Sequence, residues 1–134
     1  MKGSIYAIID NDTYEIYIGS TIQGIELRYS KHMTDLRMYL GLGNKTRNYR
    51  TSFDILVKDD YKVVCIHNFD NLKDMTELKL FEALYMLKFR KQGLKVINTA
   101  LPNSEAKTFN YNNFGLKEIN FASPSLFKNR PLLI

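Results

Sequence analysis

Two runs of β-branched and aromatic residues, Ser4 to Asp10 and Tyr14 to Gly19, flank Asn11-Asp12 near the start of the chain. That arrangement reads as a β-hairpin, because Asn and Asp suit a tight turn and the runs suit a pleated surface. With Asn11-Asp12 as the turn, or with the turn widened to Asp10 through Thr13, Tyr6 lies directly opposite Tyr17. Side chains alternate along a strand, so Ser4, Tyr6, Glu15 and Tyr17 share one face. Ile5, Ala7, Ile9, Tyr14, Ile16 and Ile18 take the other. The second face is expected to be core and the first to present two phenols.

The rest of the chain continues in short elements. Gly24 to Leu42 carries Ile25, Tyr29, Met33, Leu36 and Leu40 at helical spacing, and Gly41 to Asn44 is its stop. Arg28 and His32 sit one turn apart at the edge of that apolar stripe. Ser52 is placed to cap a shorter helix through Leu56, and Lys62 to Phe69 reads as a third strand. Asp74-Met75-Thr76-Glu77 has capping-box spacing, which predicts a second long helix to about Gln92 with Gly93 ending it. That helix is apolar around most of its circumference and should be largely buried. Val96-Ile97-Asn98 is a short extended stretch before Pro102. We therefore divide the chain into a domain over 1–102 and a C-terminal extension over 103–134. The extension is rich in Asn, Ser and Lys but holds scattered Phe and Leu. Three readings fit it: wrapping the domain, pairing with a second copy or an accessory subunit, or ordering on binding.

Composition narrows the functional class. Cys65 is the single cysteine, which excludes an internal disulfide and a thiolate metal cluster and fits a reducing compartment. No run approaches membrane-spanning length, and the first ten residues lack a signal peptide's apolar core. A soluble protein of cytoplasm or nucleus is the expectation. The Asn-, Lys- and Ile-rich usage suits an AT-rich genome such as that of a large virus or its host. Nineteen basic against fourteen acidic side chains give a net charge of +5, which favours a polyanionic partner.

Ser4-Ile5-Tyr6, Tyr17-Ile18-Gly19 followed by Ser20-Thr21, Arg28-x-x-x-His32, Glu82 on the late helix and Asn98 form an ordered set. From Gly3 to Asn98 this set resembles the GIY-YIG nuclease family. The second tripeptide matches outright; the first has Ser4 where the name-giving glycine belongs, with Gly3 one place early. A backbone needing positive φ there would be strained by serine. The resemblance implies an α/β fold of the α+β type: a three-stranded antiparallel sheet flanked by helices, in the order β-β-α-(α)-β-α. It also implies divalent-metal phosphodiester hydrolysis, with Mg²⁺ or Mn²⁺ as cofactor and DNA as partner. By position, Glu82 would be the metal ligand, Arg28 the phosphate-binding cation, and Tyr6, Tyr17 and His32 the water-activating group. Asn98 would brace the site.

The residue chemistry supports each role separately. Hydrolysis needs a positioned water, charge stabilisation on the non-bridging oxygens and help for the leaving alkoxide. Mg²⁺ is satisfied by one carboxylate with substrate oxygens and waters, so one glutamate suffices. Glu82 projects among Leu78, Tyr85, Met86 and Phe89 on the helical wheel, where a carboxylate is costly unless a cation or donors meet it. A buried Glu–Arg pair without metal is the bland alternative. Glu77 already has a structural role in the capping box. A phenol of pKa ~10 is only about a thousandth ionised at pH 7, so a tyrosine base needs Arg28, a metal or His32 to help it. Which tyrosine acts stays open, as does a merely structural cross-strand pair. Asp35, one further turn along, is placed to orient His32, and His67 is taken as structural.

Lys31, Arg37, Lys45, Arg47 and Arg50, along the first helix and the loop after it, make a candidate phosphate-contact patch. Two rival readings remain: a catalytically degenerate domain that binds nucleic acid without cutting, and a basic interaction module whose motifs match by accident.

Overall fold

The computed structural model describes residues 1–42 and 48–132. Its strands are β1 (Gly3–Asp10), β2 (Ile16–Thr21) and β3 (Tyr61–Phe69); its helices are α1 (Ile25–Tyr39), α2 (Phe53–Leu56) and α3 (Met75–Lys91). They form one antiparallel sheet in the order β2-β1-β3, with helices on both faces. The expected α+β architecture is what the chain adopts. Lys45 and Arg47 lie outside the described residues.

The hairpin register differs from the expected one. Tyr6 faces Gly19 and Ile8 faces Tyr17, so the two phenols are diagonal neighbours rather than directly opposed. The slip is two residues, which preserves the face each side chain takes. Its cause is a longer turn closed around a buried carboxylate. Asp10 accepts the backbone N–H groups of Asp12 at 2.8 Å and Thr13 at 3.1 Å on one oxygen, and Lys58 Nζ at 2.8 Å on the other. Tyr14 consequently leaves the strand, with φ at 62° and its side chain 61% exposed. It is not part of the apolar face.

Both faces of the sheet are core, which also corrects the one-sided reading. Ile5, Ala7, Ile9, Ile16 and Ile18 pack with Val64 and Ile66 against Leu78, Tyr85, Met86 and Phe89 of α3. Tyr6 and Ile8 pack with Val63 against Tyr29, Met33 and Leu36 of α1 and Phe53, Ile55 and Leu56 of α2. The tyrosines therefore point into a second core between the sheet and α1.

The helix ends follow local chemistry. α3 starts at Asp74, whose side chain accepts the Glu77 N–H, and the chain turns away at Gly93 with φ at 85°. α1 ends at Tyr39, before Gly41 with φ at 78°. Several described residues after 102 lie against the domain. Ala106 is buried on the outer side of α3 with Ala83 and Leu84, which explains why that helix is apolar nearly all round. Leu126 donates its N–H to Val63 O at 2.8 Å, and the Val63 N–H reaches Ser125 Oγ at 3.0 Å, so the extension also covers part of the β3 edge. Lys88 is buried, its ammonium held by the carbonyls of Leu116 and Lys117. No described helix is long and apolar enough to cross a membrane.

The Asp10 turn yields a pH test. Burial disfavours its charge, but the Lys58 and backbone hydrogen bonds prevail and hold its pKa down from 3.8 to about 2. A depressed carboxylate pKa stabilises the fold above the unfolded value, and the benefit is lost as pH falls through the folded one. Asp10→Asn is expected to lower Tm at pH 7, with the gap to wild type closing between pH 4 and pH 2. Thermal melts across that range check it; a gap independent of pH would show that the carboxylate's charge does not hold the turn.

Candidate active site

β2 is an edge strand, and part of its outer edge is already occupied. Ile16 N–H donates to Lys95 O at 2.8 Å and Ile97 N–H to Ile16 O at 2.9 Å, a short parallel bridge made by the chain after α3. Asn98 continues it with its side chain. Its Oδ1 accepts the Ile18 N–H at 2.9 Å and its Nδ2 donates to Ile18 O at 2.8 Å. The carboxamide thus does what one more strand residue would do, and among the described residues backbone pairing on this edge stops there. Gly19, Ser20 and Thr21 lie beyond it.

Tyr6 reaches this open end because Gly19 lies opposite it. A Cβ on Gly19 would stand 2.4 Å from both Cζ and Oη of Tyr6, so the phenol lies across the strand where a side chain would be. The Tyr6 hydroxyl is 2.8 Å from His32 Nε2, and His32 Nδ1 is 2.9 Å from Ser52 Oγ. The Arg28 guanidinium lies close enough to the Tyr6 hydroxyl for its charge to favour the phenolate. With the ring proton assigned to Nδ1 and donated to Ser52, Nε2 accepts the phenol proton. Tyr17 stands edge-on to the same imidazole, with centroids 5.6 Å apart.

Electrostatics keep this pair neutral at rest. Burial, Tyr17 and Glu82 push the Tyr6 pKa well above the ordinary phenol value, and Arg28 opposes them. Tyr17 is raised by burial and Glu82, against Arg28 and Arg50. His32 is lowered to about 3 by burial first, then by the charges of Arg28, Arg50 and Lys31. A neutral imidazole beside a protonated phenol is the resting state near pH 7.

Glu82 approaches from the other face of the sheet. α3 packs against the Ile5 side, yet the carboxylate comes up beside the β2 edge, where Ser20 Oγ donates to its Oε1 at 2.5 Å. Lys79 Nζ lies 3.0 Å from Ser20 Oγ and 3.5 Å from the same carboxylate oxygen. The late-helix acid and the hairpin phenols thus belong to opposite layers but meet at the strand's rim, close enough for Glu82 to act on both tyrosines. A hard divalent cation fits this donor set. The donors are a carboxylate and a hydroxyl, and a cation, the Lys79 ammonium, already sits on them. Among the described residues there is no cluster of three His, Cys, Asp or Glu, so a metal here would rely on one carboxylate, as Mg²⁺ tolerates.

The structure thus gathers Tyr6, Tyr17, Arg28, His32 and Glu82, with Asn98 bounding them. Of the basic patch, Lys31 and Arg50 lie close enough to depress His32, and Arg50 pairs through Nε with Asp35 Oδ2 at 3.4 Å. Arg37 sits near the far end of α1, about 13 Å along the helix from Arg28 at 1.5 Å per residue. Two sequence assignments change. Ser52, not Asp35, contacts His32 Nδ1, and the Ser52 hydroxyl makes no capping bond to α2. Three residues were not assigned to the site from sequence: Ser20 beside the second motif, Ser52, and Lys79, whose only signal was its place one turn before Glu82. Ser4 causes no backbone conflict. It pairs with Thr21 within β1, its hydroxyl donates to Asn68 Oδ1 at 2.6 Å, and it is not among the positive-φ residues.

Gly19→Ala is expected to lower stability by about 1–3 kcal/mol, the usual cost of forcing a side chain into filled space. Urea unfolding measures it, and NMR should show the His32 ring signals shifting as Tyr6 is displaced. Unchanged stability and signals would mean that the phenol does not cross the strand.

Neither a curated protein nor a solved structure matches the chain significantly. Residues 2–95 match the GIY-YIG catalytic domain, which spans the hairpin, α1, β3 and α3. With that match across most of its length, and with the motif tyrosines, arginine and glutamate converging at one strand edge, the chain belongs to the GIY-YIG family of nuclease domains.

Proposed function

We propose that this chain is a divalent-metal-dependent endonuclease that hydrolyses phosphodiester bonds in DNA. One observation carries the reading: a guanidinium, a phenol bonded to a neutral imidazole, and a carboxylate able to hold a cation meet at the unpaired end of β2.

Arg28 binds the scissile phosphate, its planar fork matching two phosphate oxygens. Lys31 and Arg50 add positive potential beside it, and a net charge of +5 brings the backbone in. Glu82, with Ser20, would hold Mg²⁺ or Mn²⁺, which supplies Lewis-acid stabilisation of the phosphoryl and leaving oxygens when bound. Tyr6 and His32 take the proton of the attacking water. The Tyr6 pKa is too high for a standing phenolate, so its oxygen accepts the water proton as its own passes to His32 Nε2. His32 is a poor base at rest because burial first, and then three cations, depress it. A phosphate bound to Arg28 screens that charge and raises the basicity of His32 when substrate is present. Tyr17, half-buried beside the imidazole, is left to hydrogen-bond water or phosphate.

Supercoiled plasmid with Mg²⁺ is expected to be nicked or linearised, and EDTA to stop it. Glu82→Gln and Arg28→Ala should each slow cleavage by about a hundredfold or more, a typical loss for a group stabilising transition-state charge. Glu82→Gln should still bind DNA in a salt-sensitive way. Wild-type binding without cleavage would overturn the enzyme reading in favour of a nucleic-acid-binding module, and absence of both would favour a basic interaction domain.

A further inference from the structure

We infer that Lys79 is the built-in counter-cation of the Glu82 carboxylate, and that a divalent metal loads the site only by displacing it; this rests on the metal reading above. Lys79 and Glu82 are three residues apart on α3, so their side chains lie on one face of the helix. The Glu82 side chain is 9% exposed and that of Lys79 is 39% exposed. The carboxylate is fixed and nearly dry, whereas the ammonium stands at the solvent side on a flexible four-carbon stem. Nζ is within 3.5 Å of Glu82 Oε1 and 3.0 Å of Ser20 Oγ, the two oxygens a metal at the open end of β2 would use.

Two cations do not share one carboxylate oxygen at hydrogen-bonding range without repelling each other. A divalent ion that takes Glu82 Oε1 and Ser20 Oγ would occupy the ammonium's own place, so the ammonium swings into solvent or onto a phosphate. Until then it and Ser20 supply the almost buried carboxylate with its hydrogen-bond and charge partners. The exchange has a direction. Lys79 protects the empty fold and weakens intrinsic metal affinity, because part of the metal's binding free energy goes into expelling it. Arginine could make the same substitution of charge, since it also carries a fixed cation on a long stem.

Mn²⁺ binding without DNA, followed by the loss of the free-ion EPR signal, tests this independently of cleavage. Lys79→Gln is expected to bind Mn²⁺ about tenfold more tightly than wild type, Lys79→Arg to bind like wild type, and Glu82→Gln to lose the site. In EDTA, Lys79→Gln should melt below wild type, and Mn²⁺ should raise its Tm by more. Mn²⁺ affinity unchanged or weakened in Lys79→Gln, with Glu82→Gln still abolishing binding, would overturn the role of Lys79 alone. Binding that survives Glu82→Gln, or no binding by any of the proteins, would remove the metal assignment and this inference with it.

Discussion

The site depends on how the outer edge of β2 is divided. An edge strand presents unpaired N–H and C=O groups that a fold must cover or expose at some risk. Here the chain returning from α3 covers the edge as far as Ile18, first with backbone and then with the Asn98 carboxamide. Because the pairing stops there, Gly19 to Thr21 become the rim where side chains from three layers converge. Tyr6 comes from the central strand, Arg28 and His32 from the helix on one face, and Glu82 from the helix on the other. A side chain at Gly19 would occupy the space of the Tyr6 phenol and close this arrangement.

The same geometry sets the electrostatics. Phenol and imidazole are both driven to their neutral forms by burial, and the surrounding cations act on them with opposite consequences. Arg28 favours the phenolate but disfavours the imidazolium. In the proposed reaction, an anionic phosphate on Arg28 would weaken both effects, and the pair would shift towards proton acceptance. On the opposite layer, Glu82 is held by Ser20 and Lys79, a hydroxyl and a partly exposed cation. A single carboxylate of this kind suits a metal that keeps waters and substrate oxygens in its shell.

Much of this was legible in the residues. The hairpin, the two long helices and the third strand followed from periodicity, and the Asp74 cap and Gly93 stop bounded α3 closely. The face shared by Tyr6 and Tyr17 survived a wrong register because a two-residue slip conserves the strand's alternation. The register itself was not legible, since the Asp10 turn is held by Lys58, far away in sequence. The second core was hidden as well: tyrosines on a strand look like a polar face until a helix is known to cover them. Ser52 read as a helix cap, because a local hydrogen bond is the default for serine when its distant partner is unseen.

By itself, then, the sequence determined the main elements, the family and a set of candidate reactive groups, because these depend on local propensity and on residues in a fixed order. Only the tertiary structure decided that Glu82 reaches the phenols around a strand edge, that Ser52 holds His32, and that Lys79 rests on the carboxylate. Those relations join residues twenty to eighty positions apart, or turn on which way a flexible side chain points. Such choices are made by packing, where one cleft must satisfy every buried charge at once.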